Sequence, residues 1–455
     1  MSTNIRNTFS LIAGPIAFLV SQKITPDLYG THEQAVVFGT VIWMLLWWFT
    51  EVIPLAVTAL LPILTFGGFG VLDSGSLAMA YSHPLIFLFL SGFFLARAVE
   101  SHQLHRRFAL AILRNTGSSS HIVLAGVMLS TFALSLWMSN TATAVMMLPL
   151  TLSLIRNLPT DDEKVERNIL LGMAWAANLG GIGTLIGTPP NLLYASLMQS
   201  RGEEVYFLDW TVRILPIAFL LLIIAFLLLR RKLPNINLSG MEWPKSMAWT
   251  TGEKWVTIIF LATAAAWITR PWLQTLIPSL TLTDTWIGLA STLLLFATRD
   301  RQRRPLLVWE EARKIEWGIL LLFGGGMSLA AGMQASGWLE FLAEQSSQAW
   351  PVSLWVLVFT ALGVWTTELF SNMALVSGTL PLALAVSNSQ GIPLDQLALP
   401  LTIGASCAFM LPMATPPNAI VFTSGKLTIP SMAREGFWMN MLATLVIWSV
   451  FSFLY

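Results

Sequence analysis

Charge is what this chain has least of. Only 11% of its 455 residues are Asp, Glu, Lys or Arg, where a soluble domain carries about a quarter. The formal net charge is +1, so nothing in the balance asks for nucleic acid or an acidic partner. There is one cysteine, Cys407, which excludes an internal disulfide framework and a thiolate metal cage. The five histidines are scattered, without the paired spacing of a zinc site. Ser139 has no buried His or Lys partner in the sequence, which argues against a membrane-embedded hydrolase. The first apolar run, Thr8 to Val20, has one upstream Arg and no clear small-residue cleavage site. It reads as a short first span rather than a cleaved signal.

What the chain has instead is apolar length. Hydrophobic residues make up 55% of it, and the mean hydropathy is +0.68. That predicts an all-α polytopic membrane protein. Apolar runs long enough to cross about 30 Å of hydrocarbon begin near Thr8, Ala35, Ile53, Pro84, Ile169, Val212, Trp255, Trp286, Trp317, Leu397 and Phe437, giving eleven candidate crossings. Two further stretches, 121–156 and 350–388, exceed one span and are interrupted by polar residues in the middle. Each is expected to form a re-entrant hairpin, tolerated at depth only where protein or a wet cavity covers its tip.

Charge placement orients this map. With the N-terminus cytoplasmic and the C-terminus external, all but four of the 25 Lys and Arg fall on the cytoplasmic side, the exceptions being Lys23, Arg201, Arg213 and Arg270. The positive-inside rule favours this orientation. The basic clusters are then topology signals. The first hairpin opens to the cytoplasm, and the second, flanked by Glu340, Glu344 and Asp395, opens outside. Twenty tryptophans suit interfacial belts.

Polar residues repeat across the two halves. Thr188-Pro189-Pro190-Asn191 returns as Thr415-Pro416-Pro417-Asn418, and Ser139-Asn140-Thr141 returns as Ser371-Asn372-Met373. Around the second element Ser135, Ser139, Asn140 and Pro149 match Thr367, Ser371, Asn372 and Pro381 at a constant offset of 232. An odd number of crossings per repeat inverts the second copy and places a binding site near the midplane.

These residue types suit ions. Hydroxyl and amide oxygens ligate a hard cation, while their N–H and O–H groups donate to an anion. Where a helix breaks, free carbonyls suit Na⁺ and free N–H groups suit a carboxylate. Ser135 lies one turn before Ser139, as Thr367 does before Ser371, so each pair is expected to face one pocket. Each diproline cannot continue a helix and is expected to leave upstream carbonyls unpaired, with Gly180, Gly181, Gly183 and Gly187 allowing close approach. A lone Ser or Thr in a membrane helix bonds back to its own turn or packs; a symmetric pair of tips beside a symmetric pair of breaks argues for a site.

Two carboxylates lie near apolar segments. Glu51, beside Ile53-Pro54, is a boundary residue or a functional one. Glu368, next to Thr367, either tunes a cation site or stabilises the hairpin. His83, His102, His105 and His121 sit near span ends. Gly324-Gly325-Gly326 lacks the Lys-Ser/Thr of a phosphate loop and reads as close helix packing.

The paired tips and paired breaks resemble the divalent anion/sodium symporter family, whose members carry dicarboxylates, citrate or sulfate and include INDY-type succinate carriers. The likeness covers nearly the whole chain. It implies a homodimer in a bacterial inner membrane, with lipid around it. It also implies a scaffold and a transport domain moving as an elevator, with Na⁺ as coupling ion and no other cofactor. Carried over, the first sodium site is Ser135, Ser139, Asn140 and the backbone at Gly187. The second is Thr367, Asn372 and the backbone at Phe370 and Ala414. Substrate lies between Asn140-Thr141 and Asn372-Met373, with Thr188, Pro189, Thr415 and Pro416 around it.

The implied division is 1–82, N-terminal scaffold spans; 83–230, a first repeat with hairpin 121–156 and a broken helix at 187–191; 231–316, a cytoplasmic linker and scaffold spans; and 317–455, the rest of the second repeat with hairpin 350–388 and a broken helix at 414–418. The implied activity is Na⁺-coupled symport of a small di- or tricarboxylate such as succinate, malate or fumarate. The alternatives are an anion exchanger or a carrier of sulfate or another oxyanion. Met373 is the departure: dicarboxylate carriers of the family commonly have Thr at both tips, and methionine has no donor for a carboxylate.

Overall fold

The computed structural model describes residues 3–114, 119–156, 162–236, 248–279, 281–345 and 350–453. Among them the chain is helical, with no strand; Arg299 and Pro305 form an isolated bridge. Among the described residues six segments are long and apolar enough to cross a membrane: His32–Thr50, Ser74–Ser101, Phe207–Arg230, Thr251–Leu276, Trp317–Ala335 and Ile429–Phe453. Large apolar side chains such as Phe219, Leu220, Ile223 and Leu227 point outward along them, as lipid-facing positions do.

The remaining apolar runs are shorter or broken. The crossing expected from Ile53 is split into Leu55–Thr58 and Leu61–Gly68. Pro54 precedes the first piece and Pro62 is the second residue of the next; neither has the N–H that a continuous helix would use. Several helices begin before their apolar run because a polar cap starts them. Thr250 and Glu253 form a capping box ahead of Trp255, and Thr283 accepts from the Trp286 backbone. Hydropathy does not register such caps, whose side chains satisfy the first free N–H groups.

Where the two hairpins are expected, the chain forms helix pairs. Ser120–Ser135 turns into Asn140–Arg156, and Val352–Thr366 turns into Asn372–Gln390. Residues 157–161, which follow the first, lie outside the described ones. Both expected broken helices are also present: Glu163–Ile182 resumes as Pro189–Ser200, and Asp395–Ala405 resumes as Pro416–Phe422. The prolines do not merely interrupt. In each case they occupy the first positions of the new helix, where a missing N–H matters least and the fixed φ suits the turn.

The packing of these eight pieces is crosswise. The first arm of each hairpin lies against the helix before the break of its own half: Ser120–Ser135 on Glu163–Ile182, and Val352–Thr366 on Asp395–Ala405. The second arm of each lies against the helix after the other half's break: Asn140–Arg156 on Pro416–Phe422, and Asn372–Gln390 on Pro189–Ser200. Glycine permits the close contacts. A Cβ on Gly363 would meet the Leu401 carbonyl at 2.6 Å, and one on Gly180 would meet that of Phe132 at 2.5 Å, so backbones touch where side chains would hold them apart. The glycine triplet is packing of the same kind, Gly324 facing the Tyr81 ring and Gly325 the backbone of Ala59.

Candidate functional site

Most polar side chains in these helices do what an isolated Ser or Thr does in lipid. Thr40, Thr263 and Thr402 each donate to the carbonyl four residues back, at 2.8, 2.7 and 2.6 Å. The hairpin tips depart from that habit. Ser135, the last residue of its helix and fully buried, places Oγ 2.9 Å from Asn140 Oδ1 and 2.7 Å from the carbonyl of Ala177. Thr367 places Oγ1 2.7 Å from Asn372 Oδ1 and 2.6 Å from the carbonyl of Ala405. A hydroxyl has one hydrogen to give. At each tip three oxygens therefore converge on a single proton, and both tips do it with equivalent residues.

Ser135 and Ser139, expected to face one pocket, make no direct contact with each other and have different partners. Regular helix ends at Ser135, and one further turn, closed by Leu136 N on the Phe132 carbonyl and Met138 N on that of Leu134, leads to Ser139 at the head of the second arm. Ser139 caps the second arm, accepting from Ala142 N at 3.3 Å, and donates to Glu316 Oε1 at 3.2 Å. Ser371 likewise caps its arm through Ala374 N, at 3.3 Å.

The breaks are built alike. Thr188 and Thr415 are buried N-caps with extended backbones, φ −145° and −144°. The upstream carbonyls are not left unpaired, as the diprolines had suggested. The fourth residue of each tetrad takes them. Asn191 Nδ2 donates to the carbonyls of Gly181 and Thr184 at 3.0 and 2.8 Å. Asn418 Nδ2 donates to those of Ala408 and Leu411 at 3.2 and 3.1 Å. Each buried amide replaces the two bonds that a continuous helix would have made. An unsatisfied backbone group in hydrocarbon costs several kcal/mol.

Of the remaining expected residues, Gly187 is buried in the first break and donates to the Thr184 carbonyl at 3.3 Å. Ala414 is buried in the second and donates to that of Leu411 at 3.2 Å. Asn140 and Thr141 are half-buried at the first tip, with Asn140 lying across Gly181, where any Cβ would strike its amide. Asn372 is half-buried and Met373 buried at the second tip. The Phe370 ring packs tilted against Phe49, at 4.0 Å between centroids and 33° between planes. Pro189 is half-buried, whereas Pro416 is exposed, so the two breaks are not covered equally.

Glu368 is the main asymmetry. Its Oε1 accepts from Phe409 N, Met410 N and Asn440 Nδ2 at 2.7, 2.9 and 2.9 Å, and Oε2 accepts from Leu411 N at 3.0 Å. Of its two expected roles, these contacts show bracing: the carboxylate collects the free N–H groups of the second break. The matching residue in the first half is Leu136, whose backbone carbonyl takes the Thr184 hydroxyl. Glu51 is exposed, in a left-handed conformation at the end of His32–Thr50, which fits the boundary role. His83 and His102 cap the two ends of Pro84–Ser101.

Sequence reasoning missed Asn178. It lies fully buried in Glu163–Ile182, and its Nδ2 donates to the Ala408 carbonyl at 2.9 Å and to Thr415 Oγ1 at 3.0 Å. One residue of the first half thus holds the break of the second, helped by Trp175 Nε1 on the Phe409 carbonyl at 3.2 Å. The available signal was an asparagine in an otherwise apolar, glycine-rich run. Among the described residues no group of three or more His, Cys, Asp or Glu is placed to hold a metal; the tips offer hydroxyl, amide and carbonyl oxygens.

Comparison with known proteins gives a consistent set of likenesses. The sequence profile of a citrate transporter family matches residues 44–404. A sodium-dependent dicarboxylate transporter SdcS of Staphylococcus saprophyticus is 35% identical, covering 100% of this chain and 92% of that one. Its namesake in Staphylococcus aureus is 36% identical, covering 96% of this chain and 89% of that one. Among solved structures, the YdaH transporter of Alcanivorax borkumensis, described as having an unusual topology, superposes with a TM-score of 0.61. That match covers 84% of this chain and 89% of the other at 14% identity, so it speaks for the fold alone.

Proposed function

Since this chain belongs to the citrate transporter family, as one of the divalent anion/sodium symporters and not an enzyme, we propose that it couples Na⁺ entry to uptake of a small dicarboxylate such as succinate, malate or fumarate. Its relatives are named for sodium-dependent dicarboxylate transport. The observation that carries the reading is the matched oxygen triad at each tip, Ser135 with Asn140 and Ala177, and Thr367 with Asn372 and Ala405. Neutral oxygens gathered in excess of protons suit a hard monovalent cation. The first cation site is Ser135, Ser139, Asn140 and Gly187; the second is Thr367, Phe370, Asn372 and Ala414. The anion sits between Asn140-Thr141 and Asn372-Met373, flanked by Thr188, Pro189, Thr415 and Pro416. Bound sodium offsets the anion's charge and orders the tips around it.

Around this site the reading places inverted repeats, eleven crossings with two hairpins, a cytoplasmic N-terminus and an external C-terminus. The crosswise bundle of hairpins and broken helices is the moving part of an elevator. The helices of 1–82 and 231–316 form the scaffold of a homodimer. Met373 supports a second reading of the cargo, because a tip without a donor relaxes the demand for a carboxylate at that end. Sulfate, another oxyanion, a tricarboxylate or anion exchange are its outcomes. Uptake of labelled succinate into proteoliposomes decides: an inward Na⁺ gradient should drive accumulation, and equal uptake in choline would turn the reading to exchange.

A further inference from the structure

A cavity of about 600 Å³ lies beyond the hairpin tips and helix breaks, within the size range of small-molecule sites. Two of its walls are helices that start at the site. Pro189–Ser200, which follows the first break, contributes positions from Leu193 outward to the flanking Arg201; Asn372–Gln390, which follows the second tip, contributes positions from Ser377 to Asn388. Leu193 and Ser377 each lie four residues beyond a proposed anion contact, Pro189 and Met373. That is one helical turn, about 6 Å. Here the cavity narrows: a Cβ on Gly326, on the opposite wall, would come within 2.9 Å of Leu193 Cδ2 and 3.3 Å of Ser377 Oγ. Ser377 is 4% exposed, and its hydroxyl has no partner. It is an unspent polar group on an otherwise apolar floor.

The other end of the cavity carries charge. Arg201 Nη1 donates to Asn388 Oδ1 at 3.1 Å, which ties the guanidinium to the second wall, and its nearest carboxylate, Glu203, stays at 4.0 Å. Arg201 is the one Lys or Arg lining the cavity, and the exposed Glu340 faces it from the Gly326 side. It is also one of the four cations that lie off the basic face. From Ser377 to Asn388 the wall runs eleven residues, roughly 16 Å, farther than a four-carbon dianion reaches.

We propose that this cavity is an outer antechamber for the carboxylate anion. Arg201 captures the anion at the mouth, and Ser377 receives it at the floor before it passes Leu193 to the hairpin tips. The inference rests on the transport reading for its direction and cargo. The charges make opposite contributions: Arg201 raises the local anion concentration and Glu340 lowers it.

The test has two arms. In proteoliposomes at saturating Na⁺, Arg201→Gln should raise the outside KM for succinate about threefold to tenfold with kcat kept within about twofold. Arg201→Lys should retain most of the affinity, and Glu340→Gln should lower KM. Added inert salt should shrink both effects. The second arm needs no transport. Cys407, the native thiol, is fully buried, so a Ser377→Cys thiol can be read selectively. An anionic methanethiosulfonate should label it faster than a cationic one, and Arg201→Gln should reverse or abolish that preference. Labelling that ignores reagent charge, no labelling from outside, or KM shifts of one sign for Arg201→Gln and Glu340→Gln would overturn the antechamber. Uptake indifferent to Na⁺, with the labelling preference intact, would instead overturn the symport reading and leave the antechamber standing.

Discussion

Ser139, at the tip of the first hairpin, donates its hydroxyl to Glu316, the residue that opens the helix Trp317–Ala335, at 3.2 Å. Ser139 belongs to the proposed first cation site, so on that reading this carboxylate would stand next to the ion while remaining outside the bundle proposed to move. Its charge should strengthen cation binding in the conformation that keeps the contact. Glu316→Gln preserves an acceptor for Ser139 and removes only the charge. The Na⁺ concentration for half-maximal uptake should rise about threefold to tenfold, equivalent to roughly 0.7–1.4 kcal/mol. An unchanged Na⁺ dependence would reduce Glu316 to a brace for the tip.

The asparagine that ends each tetrad carries a second expectation. Asn191→Leu and Asn418→Leu keep bulk but remove two hydrogen bonds each to carbonyls of the breaks, at about 0.5–1.5 kcal/mol per bond. Both variants should unfold at a lower temperature in detergent and lose uptake. Asn191→Asp should be worse than Asn191→Leu, because it sets an acceptor against the carbonyls of Gly181 and Thr184. If the leucine variants transport normally, the breaks are held by packing alone.

Glu368 should behave as a brace. Glu368→Gln turns one end of a four-bond acceptor into a donor facing N–H groups, and a buried donor without an acceptor costs about 1–3 kcal/mol. The variant should lose thermal stability, and with it the stabilisation that added Na⁺ gives. Leu136→Glu in the first half should not compensate, since there the carbonyl of residue 136 already serves Thr184. A Glu368→Gln protein as stable as the unmodified one but weak in Na⁺ binding would point to the charge rather than the bracing.

The two tips should grip an anion unequally. Thr141→Ala removes a donor from the first, whereas Met373→Ala removes only bulk from the second, so the former should cost more transport. Met373→Thr should tighten a four-carbon dicarboxylate by up to about tenfold, the value of one modest hydrogen bond. Competition with succinate, citrate, sulfate and a monocarboxylate measures both. Indifference of all four to either Met373 substitution would remove residue 373 from the site.

Much of this site was legible because polar residues in an apolar run are expensive and their repetition is hard to arrive at by chance. Hairpin bounds, broken helices and both tips are visible in the spacing of Ser-Asn and Thr-Pro-Pro-Asn. What the spacing does not carry is partner choice. Periodicity paired Ser135 with Ser139 because it assumed the helix continued; regular helix ends at Ser135, and the hydroxyl turns to Asn140 instead. It left Asn191 and Asn418 without a role because a side chain that repairs a backbone break is recognisable only once the break has a shape. Asn178 and Glu316 act across more than a hundred residues of sequence, a distance at which no local pattern holds information.

The bonds from Asn178 to Ala408 and Thr415 have a thermodynamic corollary. A residue on the helix beside one proposed cation site is fastened to the break beside the other, so on that reading an ion that stiffens either place would spare its neighbour part of the ordering cost. Such a benefit is mutual by linkage: whatever factor the first ion lends the second, the second returns to the first. Sodium activation should therefore be sigmoidal, and severing this one amide, as in Asn178→Leu, should flatten the curve.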